Sequence, residues 1–353
     1  MSGHYGWDGS DHHDSSYDGG GFTRAHSAYS SSSYTAPKVE TRKSETKETP
    51  FTRPFETKSR DTSRSSKYVD FDPRRKQKTT KKNVLILSID MTGSMGQWRE
   101  EILDRCAMLY KEAQGYVGEE LEILFTVFGD TPCCNDKVEV APLGSGPELE
   151  NYLQAFGRMQ GGPNDCESAE LPALYVLRNL DTSSAQSVYF FTITDELAYE
   201  TPKGYEVLGI SGQVPTTKDL FTQLKVKMGT YLILADVGNY SSRTLKFWEE
   251  TIGKQHIAML DDARRCVDVI LGIVAKVSGQ YEEFTRDLTK RQKGTEFGDI
   301  NISTVLNATS LIEGGPMTPT VAVGEGTKSL LDPSVMKTKT LTKSTKETKS
   351  LLD

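Results

Sequence analysis

The sequence predicts an α/β fold in which helices flank a mostly parallel central sheet, with a disordered tail at each end. Between about residues 81 and 285, apolar runs of strand length alternate with segments of helical periodicity, a pattern typical of this fold class. Residues 1–80 and 286–353 are rich in Ser, Thr, Lys and Gly. We expect both to be low-complexity, mostly disordered tails, because they bury too little apolar surface to offset chain entropy.

The elements of the predicted domain follow from their apolar patterns, taken in chain order. The run at 84–90 predicts a buried strand, and apolar residues at helical spacing from about residue 95 predict the next helix. Charged and apolar residues alternate at 137–140, which indicates an edge strand, whereas the unbroken run at 188–194 indicates a central one. The other predicted strands are 121–128, 230–236 and 256–260. The other predicted helices are 148–156, 168–180, 217–226, one capped by Ser241 or Ser242, and 263–277, capped by Asp261 or Asp262.

The predicted domain is acidic, and the segment before it is basic. Residues 81–289 carry 19 Lys and Arg against 31 Asp and Glu, whereas residues 35–80 carry 13 against 7. The domain is therefore a poor partner for nucleic acid, because phosphate contacts need Lys and Arg. The basic segment could contact RNA, a membrane surface or its own domain, although a solvated linker is the commoner role of such a segment.

Cysteine usage and hydropathy predict a soluble, cytoplasmic protein. None of the five cysteines has the spacing of a zinc ligand set, and nothing requires an oxidising compartment. Cys106 and Cys266 lie in helical apolar patterns, so we expect both in the core. The N-terminus has no apolar signal core, and no apolar run reaches the length of a membrane span.

The segment 84–96 carries the strongest functional signal. Its predicted strand ends in Asp90, and Thr92 and Ser94 follow at alternate positions. We expect this polar strand end to face solvent, with a carboxylate and two hydroxyl oxygens close together. Hard cations such as Mg²⁺ take oxygen ligands, so these residues predict a metal site. The alternative is that Thr92 and Ser94 only cap the helix that begins near Met95.

This segment resembles the first motif of the von Willebrand factor A (vWA) domain family, the Asp-x-Ser-x-Ser of its metal-ion-dependent adhesion site. Thr92 replaces the first serine and keeps the oxygen ligand. The resemblance covers roughly residues 81–280, and two further loops of the family have counterparts. The Gly-rich stretch 161–167 resembles one of them, with Asp165 as the ligand, and the apolar run that ends in Asp195 resembles the other. Within the Gly-rich stretch and just beyond it, two alternative ligands remain open, Asn164 and Ser168.

The resemblance implies a Rossmann-like strand order with a metal site at the carboxyl edge of the sheet. In this site Thr92 and Ser94 bind Mg²⁺ or Mn²⁺ directly. Asp90 and Asp195 hold waters and the hydroxyls, and Asp165 binds directly or through water. One coordination position stays open for an Asp or Glu of a protein partner. The implied function is an intracellular adaptor or scaffold without catalytic residues, whose partner the sequence does not identify.

An enzyme is the main alternative. The residues from Asp90 onward also resemble the first motif of haloacid-dehalogenase-like phosphotransferases and phosphatases, in which Asp90 would be the nucleophile. The rest of such a site would be Thr192 or Thr194 for phosphate, Lys225, and Asp261 with Asp262 for Mg²⁺. The second acidic motif lacks the Gly-Asp-x-x-x-Asp form of that family, and the stretch 161–167 would have no role. We therefore favour the interaction module.

A third hypothesis is a scaffold in which the tails act and the folded domain is an inert anchor. The hexapeptide Thr-Lys-Ser-Leu-Leu-Asp occurs at 327–332 and again at 348–353. It is either a short binding motif or a product of low-complexity drift. Aromatic residues spaced among Gly and Ser in residues 1–34 are typical of self-associating segments. The tails could therefore also mediate self-association.

Overall fold

The computed structural model describes residues 69–236 and 242–313. The strands are β1 (Gln77–Lys78), β2 (Asn83–Asp90), β3 (Leu121–Phe128), β4 (Glu139–Val140), β5 (Cys166–Glu167), β6 (Leu180–Asp181), β7 (Ser187–Thr194), β8 (Leu197–Ala198), β9 (Gly229–Ala235) and β10 (Ile257–Leu260). The α-helices are α1 (Gly96–Asp104), α2 (Cys106–Val117), α3 (Thr131–Cys134), α4 (Glu148–Ala155), α5 (Glu170–Asn179), α6 (Thr217–Lys227), α7 (Ser242–Ile252), α8 (Cys266–Val277), α9 (Tyr281–Gln292) and α10 (Gly298–Ser310). Short 3₁₀ helices lie at Gly93–Met95, Tyr205–Leu208, Lys254–His256 and Ala263–Arg265.

Six strands form the central sheet, in the order β10-β9-β7-β2-β3-β4. All neighbours are parallel except β3 and β4, which are antiparallel. The chain adds β3 on one side of β2 and later β7 on the other, so the strand order reverses at β2. Open α/β sheets bind ligands at such a switch point, outside the carboxyl ends of the strands. The predicted α/β class and Rossmann-like order are confirmed.

Helices cover both faces of the sheet, and this explains why its strands read as apolar runs. All eight residues of β2 are buried. Alternate residues such as Leu85 and Leu87 pack into the core on the side of α1, α2 and α8. Their neighbours Val84 and Ile86 pack into a second core on the side of α5, α6 and α7. A parallel strand that is covered on both faces keeps no polar face.

The predicted elements agree with the structure except at several ends. The helix predicted from residue 95 is broken at Arg105, whose guanidinium pairs with Asp268 of α8 at 3.2 Å. Asp262 caps the 3₁₀ helix that precedes α8, since its side chain accepts a hydrogen bond from Arg264 N. Cys106 and Cys266 are buried, as predicted. Ser241 lies outside the described residues.

The structure corrects the predicted domain boundaries at both ends. The sequence pattern predicts a domain that ends at residue 285, followed by a mostly disordered tail at 286–353. Instead α9 continues past that boundary and α10 follows it, and both helices pack against α8. At the other end, β1 lies within the predicted tail 1–80 and pairs with β6. Residues 1–68 and 314–353, which include the two hexapeptides, lie outside the described residues.

No helix in residues 69–236 or 242–313 combines the length and the apolar character needed to cross a membrane.

Candidate metal centre

Asp90 ends β2 at the switch point of the sheet and is completely buried. Its Oδ1 accepts hydrogen bonds from Thr92 N at 2.9 Å and from Thr92 Oγ1 at 2.7 Å. Its Oδ2 accepts one from Thr194 Oγ1 at 2.8 Å, because β7 runs parallel beside β2 and ends at Thr194. The expectation that this strand end faces solvent is wrong. The carboxylate lies beneath the turn that follows it and fixes that turn.

The two hydroxyls of this turn lie close together and do not act as helix caps. Thr92 Oγ1 and Ser94 Oγ are 3.4 Å apart. Thr92 precedes the 3₁₀ helix Gly93–Met95 without a side-chain cap bond, and Met95 precedes α1 without one. The capping alternative is therefore wrong. Two oxygens at this separation can contact one ion, since Mg²⁺ binds oxygen at about 2.0–2.1 Å.

Asp195 follows the end of β7 and brings an oxygen without a protein partner to the same place. The residue is 8% exposed, and its Oδ1 is buried with no hydrogen-bond partner among the described residues. Burial raises the pKa of Asp195, although a hydrogen bond from the Ser94 side chain acts in the opposite direction. A buried carboxylate oxygen without a donor costs free energy unless a proton or a cation satisfies it.

The structure leaves Asp165 at the surface. Its side chain is 78% exposed and pairs with Arg243 at 3.6 Å. Both alternatives for the ligand in this loop have other partners. Asn164 donates to Asp130 Oδ2 at 2.7 Å, and Ser168 accepts from Thr131 N at 3.1 Å. The structure thus brings four of the five predicted ligands together and leaves out the fifth.

Glu167, which the sequence pattern does not single out as a ligand, takes the inward position in this loop. It is 1% exposed, and its Oε2 has no hydrogen-bond partner in the described part of the chain. A Cβ placed on Gly161 would lie 3.1 Å from both Glu167 Oε1 and Thr92 Cβ, so this side chain approaches the hydroxyl turn. Burial, followed by the charges of Asp90 and Glu196, raises the pKa of Glu167 to about 10.

Further carboxylates surround these residues. Asp130 accepts from Tyr199 Oη at 2.7 Å, and Asp136 accepts from Gly161 N at 2.9 Å, so both support the loops of the site. Burial and the charge of Asp195 raise the pKa of Glu196 to about 7. Among residues 69–236 and 242–313, no three His, Cys, Asp or Glu side chains converge closely enough to hold an ion alone. An ion here would therefore need the hydroxyl oxygens as ligands.

The donor set fits a hard divalent cation. Every group at the site offers oxygen, which Mg²⁺ and Mn²⁺ prefer. Burial and then the charge of Asp195 raise the pKa of Asp90 to about 7, and burial is also the largest cause of the raised pKa of Glu167 and of Asp195. In the absence of a cation, these raised pKa values favour the protonated carboxyl groups, which lowers the net negative charge of the site. A divalent cation would satisfy both the charge and the unpartnered oxygens.

Of the residues of the phosphotransferase alternative, Thr194 contacts Asp90, but Lys225 and Asp262 have other partners. Lys225 lies near the end of α6, just before the amino end of β9, and its Nζ donates to Ile252 O at 2.9 Å. That is the edge of the sheet opposite the carboxyl end of β2. Asp262 binds Arg264 instead, with a distance of 2.9 Å from its Oδ1 to Arg264 Nε.

Comparison with known proteins gives likenesses of fold alone. No protein-family model and no curated protein matches the sequence. The pilus adhesin SpaC from Lactobacillus rhamnosus GG, in its open conformation, matches with 15% identity and a TM-score of 0.42 over 60% of this chain and 31% of that chain. Proximal thread matrix protein 1 from the mussel byssus matches with 13% identity and a TM-score of 0.38 over 60% and 50% of the two chains. The vWF domain of the type V pili tip protein Mfa5 from Porphyromonas gingivalis matches with 9% identity and a TM-score of 0.37 over 62% and 98%.

The matched region of this chain thus spans about a third of the adhesin and half of the matrix protein. At such low identities and scores, these likenesses carry no argument for family membership or function.

Proposed function

We propose that this chain is a metal-dependent protein-interaction module of the vWA type, which acts as a cytoplasmic adaptor or scaffold. Its ligand would be a carboxylate of a protein partner, bound through Mg²⁺ or Mn²⁺. One observation carries the proposal: the hydroxyls of Thr92 and Ser94 lie 3.4 Å apart, beside the buried and unpartnered Asp195 Oδ1, at the switch point of the sheet.

Each residue has a distinct role in this proposal. Thr92 and Ser94 would hold the ion through their hydroxyls, and Asp195 would act beside them. Asp90 fixes the Thr92 backbone and hydroxyl through two hydrogen bonds. Glu167 replaces Asp165 as the acidic group of the Gly-rich loop, because it is buried against the turn while Asp165 is exposed. The ion would neutralise buried charge and offer a coordination position to the carboxylate of the partner.

Titration calorimetry with MgCl₂ on the full-length chain tests this function. The wild type should bind one Mg²⁺ per chain, and Asp90→Asn should weaken binding at least tenfold, because Asn removes the charge beneath the turn. Asp165→Asn is the matched control, since it makes the same chemical change at an exposed position and should alter binding less than twofold.

The second half of the test is the carboxylate. Acetate should bind the Mg²⁺-loaded wild type, as line broadening of the acetate NMR signal would show, and EDTA should abolish the effect. Absence of Mg²⁺ binding, or equal losses in Asp90→Asn and Asp165→Asn, would exclude this site and favour the inert-anchor hypothesis.

A further inference from the structure

A small cleft adjoins the hydroxyl turn on the side of α1. It has a volume of about 90 Å³ and opens between the turn, the first residues of α1 and the loop that follows α4. We call it the arginine cleft, and its lining includes Met91, Thr92, Arg99, Glu100, Arg158 and Met159. Met159 N donates to Met91 O at 3.2 Å, which ties the loop to the end of β2. The cleft is thus a direct neighbour of the candidate metal position, because Thr92 belongs to both.

The cleft contains two guanidinium groups with unused donors. Arg99 Nη2 donates to the Leu153 and Phe156 carbonyls at 3.1 Å, which caps the end of α4. Arg99 Nε is buried and has no hydrogen-bond partner in the described residues. Arg158 is 83% exposed, and Glu100, its acidic neighbour at 3.9 Å, is itself 65% exposed. An exposed pair at this distance contributes little stability, so Arg158 is available to a ligand.

The positive charges of the two Arg side chains in the cleft repel each other. Burial, followed by the charge of Arg158, lowers the pKa of Arg99, and Glu100 offsets only part of this. The guanidinium groups of Arg99 and Arg158 therefore lie beside the Glu100 carboxylate, at a carboxyl edge of the sheet where most other charged groups are acidic. A buried guanidinium N–H without an acceptor costs free energy. A carboxylate is the ligand that a guanidinium matches best, because its two oxygens accept two parallel N–H donors.

We propose that the arginine cleft binds a second carboxylate of the ligand whose first carboxylate reaches the metal ion. The recognised feature is then an acidic peptide segment with two neighbouring carboxylates, not a single Asp or Glu. This inference rests on the proposed metal-dependent function. It also gives a physical basis for selectivity, since the acidic edge repels any segment that cannot use both positive groups.

Small dicarboxylates test the inference on the full-length, Mg²⁺-loaded protein. Acetate offers one carboxylate, whereas succinate, glutarate and adipate offer two at increasing separation. The best of the three dicarboxylates should bind the wild type at least tenfold more tightly than acetate, as measured by NMR titration. In Arg158→Gln this preference should disappear, while acetate affinity changes less than twofold.

Arg243→Gln is the matched control. Arg243 is also exposed at this acidic edge, at 72%, but it pairs with Asp165 and does not line the arginine cleft. This variant loses the same charge and should keep the full preference for the dicarboxylate. Arg99→Lys supplies a second variant, because Lys keeps the charge and loses the planar fork. It should reduce the preference at least threefold, with its folding checked by circular dichroism.

The outcomes separate the two proposals. Mg²⁺ binding with no preference for a dicarboxylate would overturn the arginine cleft and leave the metal site intact. The same conclusion would follow if the preference persisted in Arg158→Gln or fell equally in Arg243→Gln. Failure of the wild type to bind Mg²⁺ at all would overturn both proposals.

Discussion

Replacement of Asp90 by Asn should stabilise the metal-free protein at alkaline pH and weaken its response to Mg²⁺. Asp90 is fully buried, and burial followed by the charge of Asp195 raises its pKa from 3.8 to about 7. Because the folded-state pKa lies above the unfolded value, this group gives its full contribution to stability below about pH 4. That contribution is lost as the pH rises towards 7.

The pKa shift sets an upper limit for the effect. One pKa unit corresponds to about 1.4 kcal/mol, so ionised Asp90 costs the folded state up to about 4 kcal/mol at pH 8. Asn cannot ionise, and its Oδ1 can still accept both hydrogen bonds from Thr92. Asp90→Ala is a poorer variant, because three donors would lose their acceptor at about 1–3 kcal/mol each.

Urea unfolding of the wild type and of Asp90→Asn in EDTA measures this effect. Between pH 4.5 and 8, the free energy of unfolding of Asp90→Asn should increase relative to that of the wild type by up to about 3 kcal/mol. At pH 8, 10 mM Mg²⁺ should raise the free energy of unfolding of the wild type more than that of Asp90→Asn. Parallel pH dependences in EDTA, or equal stabilisation of both proteins by Mg²⁺, would show that Asp90 is not the uncompensated charge described above.

Four further outcomes are expected. Glu167→Gln should weaken Mg²⁺ binding about tenfold, whereas Asp165→Asn should not; calorimetry giving the opposite order would restore Asp165 as the ligand. Mg²⁺ affinity should rise between pH 6 and 8, because Asp90 must lose a proton; an equal binding enthalpy in buffers of different ionisation enthalpy would contradict this proton release. A chain that ends at residue 313 should keep the melting temperature of the full chain, whereas one that ends at residue 285 should melt lower, because loss of α10 and of most of α9 uncovers α8; equal melting temperatures would show that these two helices add no stability. Phosphate monoesters should not be hydrolysed, and turnover that Asp90→Asn abolishes would favour the phosphotransferase.

The sheet was predictable because its strands are covered on both faces. The run predicted at 121–128 coincides with β3, and the run predicted at 188–194 lies within β7. Each strand end was therefore known to within a residue or two, and Asp90 and Asp195 could be placed at the carboxyl edge. The last two helices were not predictable in the same way. Only Phe284 and Leu288 of α9 are buried, so this mostly polar segment has too few apolar positions to show a clear helical periodicity.

The site was predictable as a set of loops but not as a set of side chains. The Gly-rich stretch indicated an acidic ligand, yet local sequence does not distinguish Asp165 from Glu167. The burial of Glu167 accompanies the pairing of β5 with β8, and strands of two residues leave no periodic signal. Similarly, the sequence pattern around Asp90 is typical of a strand end that is exposed to solvent. Its burial depends on Thr194, which comes from a strand about a hundred residues later.

Anomalous diffraction from crystals grown with Mn²⁺ would test the metal centre most directly. The expected map has one strong peak at the carboxyl edge of β2, within bonding distance of both Thr92 Oγ1 and Ser94 Oγ, with Asp195 beside it and Asp165 remote. No peak at this edge, or a peak that touches neither hydroxyl, would contradict the proposed metal-dependent function.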